Sequence, residues 1–567
     1  MPGWLARARS GPVLFVGGLV AVAVLWLVGL VWFRPWIAHD DFAIFRIALE
    51  RQLDGHVRSV GAHSRLGVFH PGPLREWVFA LPYWLSGRRT AALPATALVL
   101  NAVWVTWTLA VLRRSAPRGW GVAGAVGLVM VVVALGADVG SPWNPHLAVI
   151  PAYLACWSLV GVVTRDGQGW VACICSASWA AQMHASMLIV GGAVLATALM
   201  AIVWQRRRSD IAPAIGLALL LWSGPIVDLR KGRDANLVRL GTDGADGDSV
   251  GVFDAVGHVS RLLWPMTPWD RVSVRPSVEE LTGFHRWWLL LIVVVLALTA
   301  VAHRVRKRPT VDPPIDSTVD SAVGEAMSDQ PISDQLAFVA SVVALAAIGL
   351  SIVSVSLFVE PAYRYLYGPL TAPAVFAAAV AAGGLVTTIR SRSGRPERTS
   401  VPAAPDTAAG GSPVAVGIRE GVMVVSAVVV VVVFASAPRQ DGGSVARAEL
   451  GVEGAVTAAL ERRPTWGTVE AVPLDLRGAG DLDAEVLDVA LRHGVDVRSR
   501  RTELGLDEPQ DVDGVFGVAM APSRDCLLRS PADEIIRGET DAGETFSVFV
   551  VARSSVAYDR CIGPPAD

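Results

Sequence analysis

Residues 12–41 read PVLFVGGLVAVAVLWLVGLVWFRPWIAHDD. Pro12 to Trp32 supplies about 20 apolar residues, enough to cross a bilayer as a helix. Arg7 and Arg9 precede the run, and Phe33-Arg34-Pro35 follows it in place of a small-residue cleavage site. The span therefore reads as an uncleaved anchor, not a signal peptide. Past it comes His39-Asp40-Asp41. Charged groups this close to a membrane are costly and usually have a use. The pair opens a loop, residues 34–90, that is dense in Arg, His, Asp and Glu.

Outward from that stretch, the 567 residues are 52% hydrophobic, with a mean hydropathy of +0.46. An ordinary soluble domain is excluded. The net charge of -2 says little about partners. Hydrophobic runs predict a polytopic α-helical membrane protein with about 11 transmembrane helices. They fall near 12–33, 91–112, 119–137, 147–164, 170–183, 187–204, 211–227, 287–303, 335–358, 369–388 and 420–437, the fifth being short. Arginine clusters at 113–118, 206–208, 304–308 and 390–398 then share one side with the N-terminus, which the positive-inside rule makes cytoplasmic. The expected location is a plasma membrane, crossed many times. The first outer loop breaks the rule with Arg46, Arg51, Arg58, Arg65, Arg75, Arg88 and Arg89. Either those cations have a task, or amphipathic helices simply display them to water.

The expected organisation is a transmembrane domain over 1–437 and an extracytoplasmic α/β domain over 438–567. The first contains the outer loops 34–90 and 228–286 and the cytoplasmic linkers 304–334 and 389–418. The tail patterns as helices at 444–461 and 483–493 and strands at 469–474, 495–498, 514–520 and 545–552. Two short helices are expected in the first loop, Phe42 to Leu53 and Leu74 to Leu85. The second is too short to span and is expected in the interface plane, with Trp77, Tyr83 and Trp84 at headgroup level. Cys156, Cys173 and Cys175 lie in apolar runs as inert small hydrophobes. Cys526 and Cys561 are a disulfide candidate if the tail is extracytoplasmic, and two thiols otherwise.

Polar motifs gather at the predicted outer helix ends. They are His63-Ser64-Arg65, His70-Pro71-Gly72-Pro73, Trp143-Asn144-Pro145-His146, Gln182-Met183-His184, Gly224-Pro225-Ile226-Val227-Asp228, Arg230 to Asn236, and Glu360-Pro361-Ala362-Tyr363-Arg364-Tyr365. This chemistry suits transfer from a phosphate-activated, lipid-borne donor. A carboxylate takes the acceptor's hydroxyl proton, while Arg and His hold the phosphate as charge develops on it. Each motif has a plainer reading. Asp41 caps the helix starting at Phe42. His70 to Pro73 is a rigid turn, and Trp143 to His146 a helix start. Gln182 and His184 are interhelical glue. Asp228 pairs with Arg230, and Arg364 snorkels. A divalent cation shared by Asp40 or Asp41 with Asp228 is a further alternative.

The first helix, the acidic pair and the two juxtamembrane helices together resemble the GT-C superfamily of integral membrane glycosyltransferases. The run His63-Ser64-Arg65-Leu66-Gly67-Val68-Phe69-His70-Pro71-Gly72-Pro73, followed by Trp143-Asn144-Pro145 and Gln182-Met183-His184, is similar to a group of large actinobacterial membrane proteins. The likeness covers the first half of the chain. It implies an inverting enzyme, a polyprenyl-phosphate-linked sugar donor, and an acidic base or metal ligand in the first outer loop, at Asp40 or Asp41. The expected function is glycosyl transfer onto an envelope glycan or lipid, with Asp41 first and Asp40 second as base. His63, Arg65 and His70 would line the donor phosphate site. Asn144, His146, Gln182, His184, Asp228, Tyr363 and Arg364 would contact substrate. Rival readings are a transporter or flippase of an anionic envelope precursor, and a non-catalytic scaffold. No internal repeat is visible, which weighs against a duplicated transporter.

Overall fold

Apolar backbone in a bilayer must satisfy its own hydrogen bonds, so long apolar runs become helices. A computed structural model describes residues 25, 28–29, 32, 36, 41–63, 68–116, 118–164, 169–242, 249–262, 283–305, 332–358, 364–392, 456–462 and five strands between 468 and 552. Among these, five helices are long and apolar enough to cross a membrane, or six if one bent pair is a single span. The run at 420–437 and most of 12–33 lie outside the described residues. The chain divides by contact into two units. One is Met1–Gly29, His70–Leu74 and Ala97–Pro438, and the other is Leu30–Phe69, Arg75–Thr96 and Arg439–Asp567.

The second unit holds α1 (Asp41–Leu53) and nearly all of α2 (Leu74–Leu85). Phe45 meets Phe79 edge-on at 5.3 Å, and the Arg75 guanidinium lies 3.8 Å over the Phe45 ring. Arg75 also pairs with Glu76 at 2.9 Å, both buried. Beside them, Arg46 Nε donates to the Tyr83 hydroxyl at 2.8 Å. That hydroxyl donates in turn to Glu50 at 2.6 Å, and Arg88 closes the chain on Glu50 at 2.6 Å. Tyr83 is wholly buried. A phenol that donates to one side chain and accepts from another is held between the helices, not displayed on their surface as an anchor. Burial raises its pKa. Leu81, Trp84 and Leu85 form the exposed face of α2 instead. Arg46 and Arg75 are buried at 3% and 4% exposure, so these two are not a solvated display. They join the helices.

The tail contributes five strands, β1 (Thr468–Pro473), β2 (Asp496–Arg498), β3 (Gly514–Ala519), β4 (Asp533–Glu539) and β5 (Thr545–Ala552). Their order is β2-β1-β3-β5-β4. β1 runs parallel to β2 and β3, whereas β5 is antiparallel to β3 and β4. β4, DEIIRGE, carries too little alternation to stand out in sequence.

The first unit is helical. It comprises α3 (Ala92–Ser115, entering from the other unit), α4 (Arg118–Leu135), α5 (Asn144–Val163), α6 (Trp170–Met183), α7 (Ser186–Trp204) and α8 (Arg208–Leu221). After these come α9 (Ser223–Asp228), α10 (Asn236–Thr242), α11 (Gly251–Leu262), α12 (Gly283–Val305), α13 (Ile332–Ser356), the single turn α14 (Arg364–Tyr367) and α15 (Thr371–Arg392). α5 is buried along nearly its whole length, and α4, α6, α7, α13 and α15 all pack on it. A helix that is apolar all round sits at the centre of a bundle. Close approach needs small residues: Tyr153 on α5 donates to the Gly124 carbonyl of α4 at 2.7 Å. α6 has only 14 residues, or roughly 21 Å of helix, and falls short of the ~30 Å hydrocarbon core. α8 and the segment after it, Ser223–Asp234, meet at a 66° bend.

Candidate functional site

Three helix ends and one turn meet in the first unit. α6 stops at Met183 because His184 is extended (φ -147, ψ 136), and α7 restarts at Ser186. Pro145 sits in the first turn of α5, where a missing N–H costs nothing. The side chain of Asn144 then donates to the Met183 carbonyl at 3.0 Å. That carbonyl is one of the unpaired groups every helix C-terminus leaves. Thus Trp143-Asn144-Pro145 holds the end of Gln182-Met183-His184, two motifs 39 residues apart. His146 lies 3.9 Å from Asp138, both buried, and packs edge-on against Trp143 at 5.0 Å.

The His70-Pro71-Gly72-Pro73 turn reaches the same place. The Ala185 N–H donates to His70 Nδ1 at 3.2 Å. The Ser186 N–H donates to His184 Nδ1 at 3.3 Å, with the Ser186 hydroxyl 2.8 Å from that nitrogen. The two imidazoles face each other with centroids 5.0 Å apart and planes 34° apart. Burial pushes the pKa of His184, in the link between α6 and α7, down to about 3.

Gly72 exists for Gln182. A Cβ there would overlap the Gln182 amide oxygen. That amide is pinned, since its Nε2 donates to the Leu221 carbonyl at 2.8 Å. Leu221 ends α8 at the bend, so the glutamine satisfies a carbonyl the break would orphan. Gly72→Ala is therefore expected to push Gln182 off Leu221, costing about 2 kcal/mol for the unsatisfied buried group. Thermal unfolding in detergent should show this loss, and a Gln182→Ala background should shrink it. Equal cost in both backgrounds would refute the pairing.

Asp228 has a structural partner set. One oxygen accepts the Asn236 N–H at 2.7 Å, at the start of α10, and the other pairs with Lys231 at 2.8 Å. Lys231 therefore replaces the expected Arg230. The Asn236 side chain donates to the His70 carbonyl at 3.3 Å, tying this segment to the turn. With both carboxylate oxygens so engaged, Asp228 does not suit a divalent cation. Among the described residues no group of three His, Cys, Asp or Glu is placed to hold a metal.

In the other unit, Asp41 is exposed at the first residue of α1. His63 is half-buried and edge-on to Phe69 at 5.0 Å. Burial lowers the pKa of Arg58. Asp40, Arg65, Tyr363, Cys526 and Cys561 lie outside the described residues, and the Arg364 side chain is not described. His70, Asn144, Gln182, His184 and Asp228 are thus brought together with Asn236, Ser186 and the Ala185 amide. Asn236 closes the polar run 230–236 noted in the sequence, whereas Ser186, the Ala185 amide and Asp138 carry no sequence signal of their own.

A bundle centred on an all-apolar helix, with several helices long and apolar enough to cross a bilayer, makes the chain a multi-pass membrane protein. One solved structure similar to it is ArnT from Cupriavidus metallidurans in the apo state. The two share 14% identity and a TM-score of 0.51, and the match covers 96% of this chain and 98% of that one. At that identity the likeness is one of fold. No protein-family profile matches the sequence, and no curated protein matches it.

Proposed function

We propose that the protein is an inverting membrane glycosyltransferase. It would move a sugar from a polyprenyl-phosphate donor to an envelope glycan or lipid acceptor on the extracytoplasmic face, with the tail domain on that side. The observation that carries the reading is the fold shared with ArnT over nearly the whole of both chains, ArnT being a GT-C polyprenyl-phosphate-sugar glycosyltransferase. The motif residues supply the chemistry. The Asp41 carboxylate, with Asp40 as second choice, takes the proton of the acceptor hydroxyl. The freed oxygen attacks the anomeric carbon from the face opposite the phosphate. The anomeric C–O bond breaks, and its electron pair leaves on the polyprenyl phosphate. Hydrogen-bond donors around the phosphate stabilise that charge. His63, Arg65 and His70 serve the donor. Asn144, His146, Gln182, His184, Asp228, Tyr363 and Arg364 serve substrate binding or its support.

The test is transfer of labelled sugar from polyprenyl-phosphate donors by purified protein in lipid nanodiscs, wild type against Asp40→Asn and Asp41→Asn. Full activity in both variants would sink the assignment of the base. Scrambling of a lipid-linked sugar between leaflets of proteoliposomes, with no donor consumed, would favour the flippase.

A further inference from the structure

The break after α8 carries an exposed apolar surface straight into a cluster of cations. Ile215, Leu219 and Leu220 are exposed on α8, and Ile226, Val227 and Leu229 are exposed past the bend. Arg230, Lys231 and Arg233 follow at once and are exposed as well. The buried positions of the same stretch are Gly224, Pro225 and Asp228. What the segment shows to its surroundings is thus apolar up to Leu229 and cationic beyond it.

In a chain that crosses a bilayer, a large exposed apolar surface meets hydrocarbon, and cations at its edge meet headgroups. The bend sets how the two follow each other. At 66°, the chain beyond α8 advances along the α8 axis by only about 0.4 of its own length. It runs mostly sideways, so residues 226–233 stay near one level instead of leaving it. Gly232, at φ +63, turns the chain between Lys231 and Arg233, a conformation that glycine adopts without strain.

The cations outnumber the carboxylates beside them. Asp228 is buried and takes Lys231 at 2.8 Å, and Asp234 is exposed next to Arg233. Among the described residues neither Arg230 nor Arg233 makes an ion pair. A soluble acidic partner would engage the cations alone and leave Ile226, Val227 and Leu229 uncovered. A phospholipid covers both, with an acyl chain on the first set and a phosphate on the second.

We infer that residues 226–233 form a docking surface for anionic phospholipids of the adjoining leaflet. Ile226, Val227 and Leu229 take the acyl chains, and Arg230, Lys231 and Arg233 take the headgroup phosphates. The surface does not depend on the glycosyltransferase reading, because a flippase would hold lipid here in the same way. Asp228 joins Lys231 to Asn236, and Asn236 reaches the His70 turn. Lipid on this surface therefore steadies the segment that holds that turn.

The test uses the full chain in nanodiscs of equal parts phosphatidylcholine and phosphatidylglycerol. The probes are traces of either lipid with a photoreactive group in its headgroup. On wild type, the phosphatidylglycerol probe should label peptides containing 226–233 in preference to the phosphatidylcholine probe. Added salt should weaken that preference, since exposed charges are screened. Arg230→Gln/Arg233→Gln should cut it roughly fivefold for each cation removed. Lys231 is left in place because Asp228 pairs with it. Arg230→Lys/Arg233→Lys should keep the preference, which separates lost charge from lost structure. Equal labelling by the two probes, or a preference that survives the glutamine substitutions, overturns the proposal. Equal loss in the lysine and glutamine variants overturns it too. So does capture of soluble polyphosphate in pure phosphatidylcholine discs without any phosphatidylglycerol preference in the mixed ones, which would give the cations to an acidic polymer.

Discussion

Asp41→Asn is expected to lower kcat for sugar transfer by about 10²- to 10⁴-fold, the usual contribution of a general base. Asparagine keeps the shape of the side chain and serves well at the start of a helix. Asp41 is exposed at the first residue of α1, where asparagine is an equally good helix start. The loss should fall on kcat with little change in the donor's KM, because the base acts on the acceptor hydroxyl, not on the phosphate. Asp40→Asn is the control. If Asp40 is the base, the two variants exchange phenotypes. Steady-state transfer rates at saturating donor, with the unfolding midpoint measured alongside, separate the outcomes. A drop in rate that tracks a drop in midpoint would mean that the carboxylate only caps α1.

Glu50→Ala should destabilise the protein by about 3 kcal/mol, the largest effect expected on stability. Glu50 is buried at 5% exposure and accepts from Tyr83 while pairing with Arg88. Removing it deprives the Tyr83 hydroxyl of its acceptor. Arg88 loses its carboxylate as well, and a buried hydroxyl left without an acceptor costs more than a broken surface pair. Glu50→Gln keeps an acceptor for Tyr83 and should cost less. Arg88→Ala should cost least, since the Arg88 side chain is 46% exposed and water replaces much of what is lost. In thermal unfolding the signature is a descending loss of midpoint, from Glu50→Ala through Glu50→Gln to Arg88→Ala. If Arg88→Ala costs as much as Glu50→Ala, the Tyr83 relay does not hold the two helices together.

The motif residues were legible in sequence for chemical reasons. A polar pair such as Gln182 and His184 inside an apolar run has no cheap explanation in a membrane. His70-Pro71-Gly72-Pro73 announces a fixed turn, because proline and glycine restrict and free the backbone in known ways. What those residues touch was not legible. Asn236 lies 166 residues from the His70 carbonyl it binds, and nothing local marks an asparagine as a partner for a distant turn. The arginines of the first loop were noticed for breaking the positive-inside rule. Their employment in buried pairs between α1 and α2 depends on which way each helix faces. Tyr83 shows the same limit. An aromatic in a short apolar helix suggests an interface anchor, yet its hydroxyl faces inward, to Arg46 and Glu50.

By itself the sequence determined that this is a membrane protein of many helices, because apolar length against bilayer thickness is a local property. It also determined which polar residues had to be accounted for, since burial in lipid is expensive wherever the chain folds. Tertiary structure alone decided that the histidine of one motif and the histidine of another take up neighbouring amides at the start of one helix. His70 reaches the Ala185 amide with a hydrogen bond of 3.2 Å across 115 positions. Sequence spacing carries no information at that range, whereas the packing of α5, α6 and α7 fixes it.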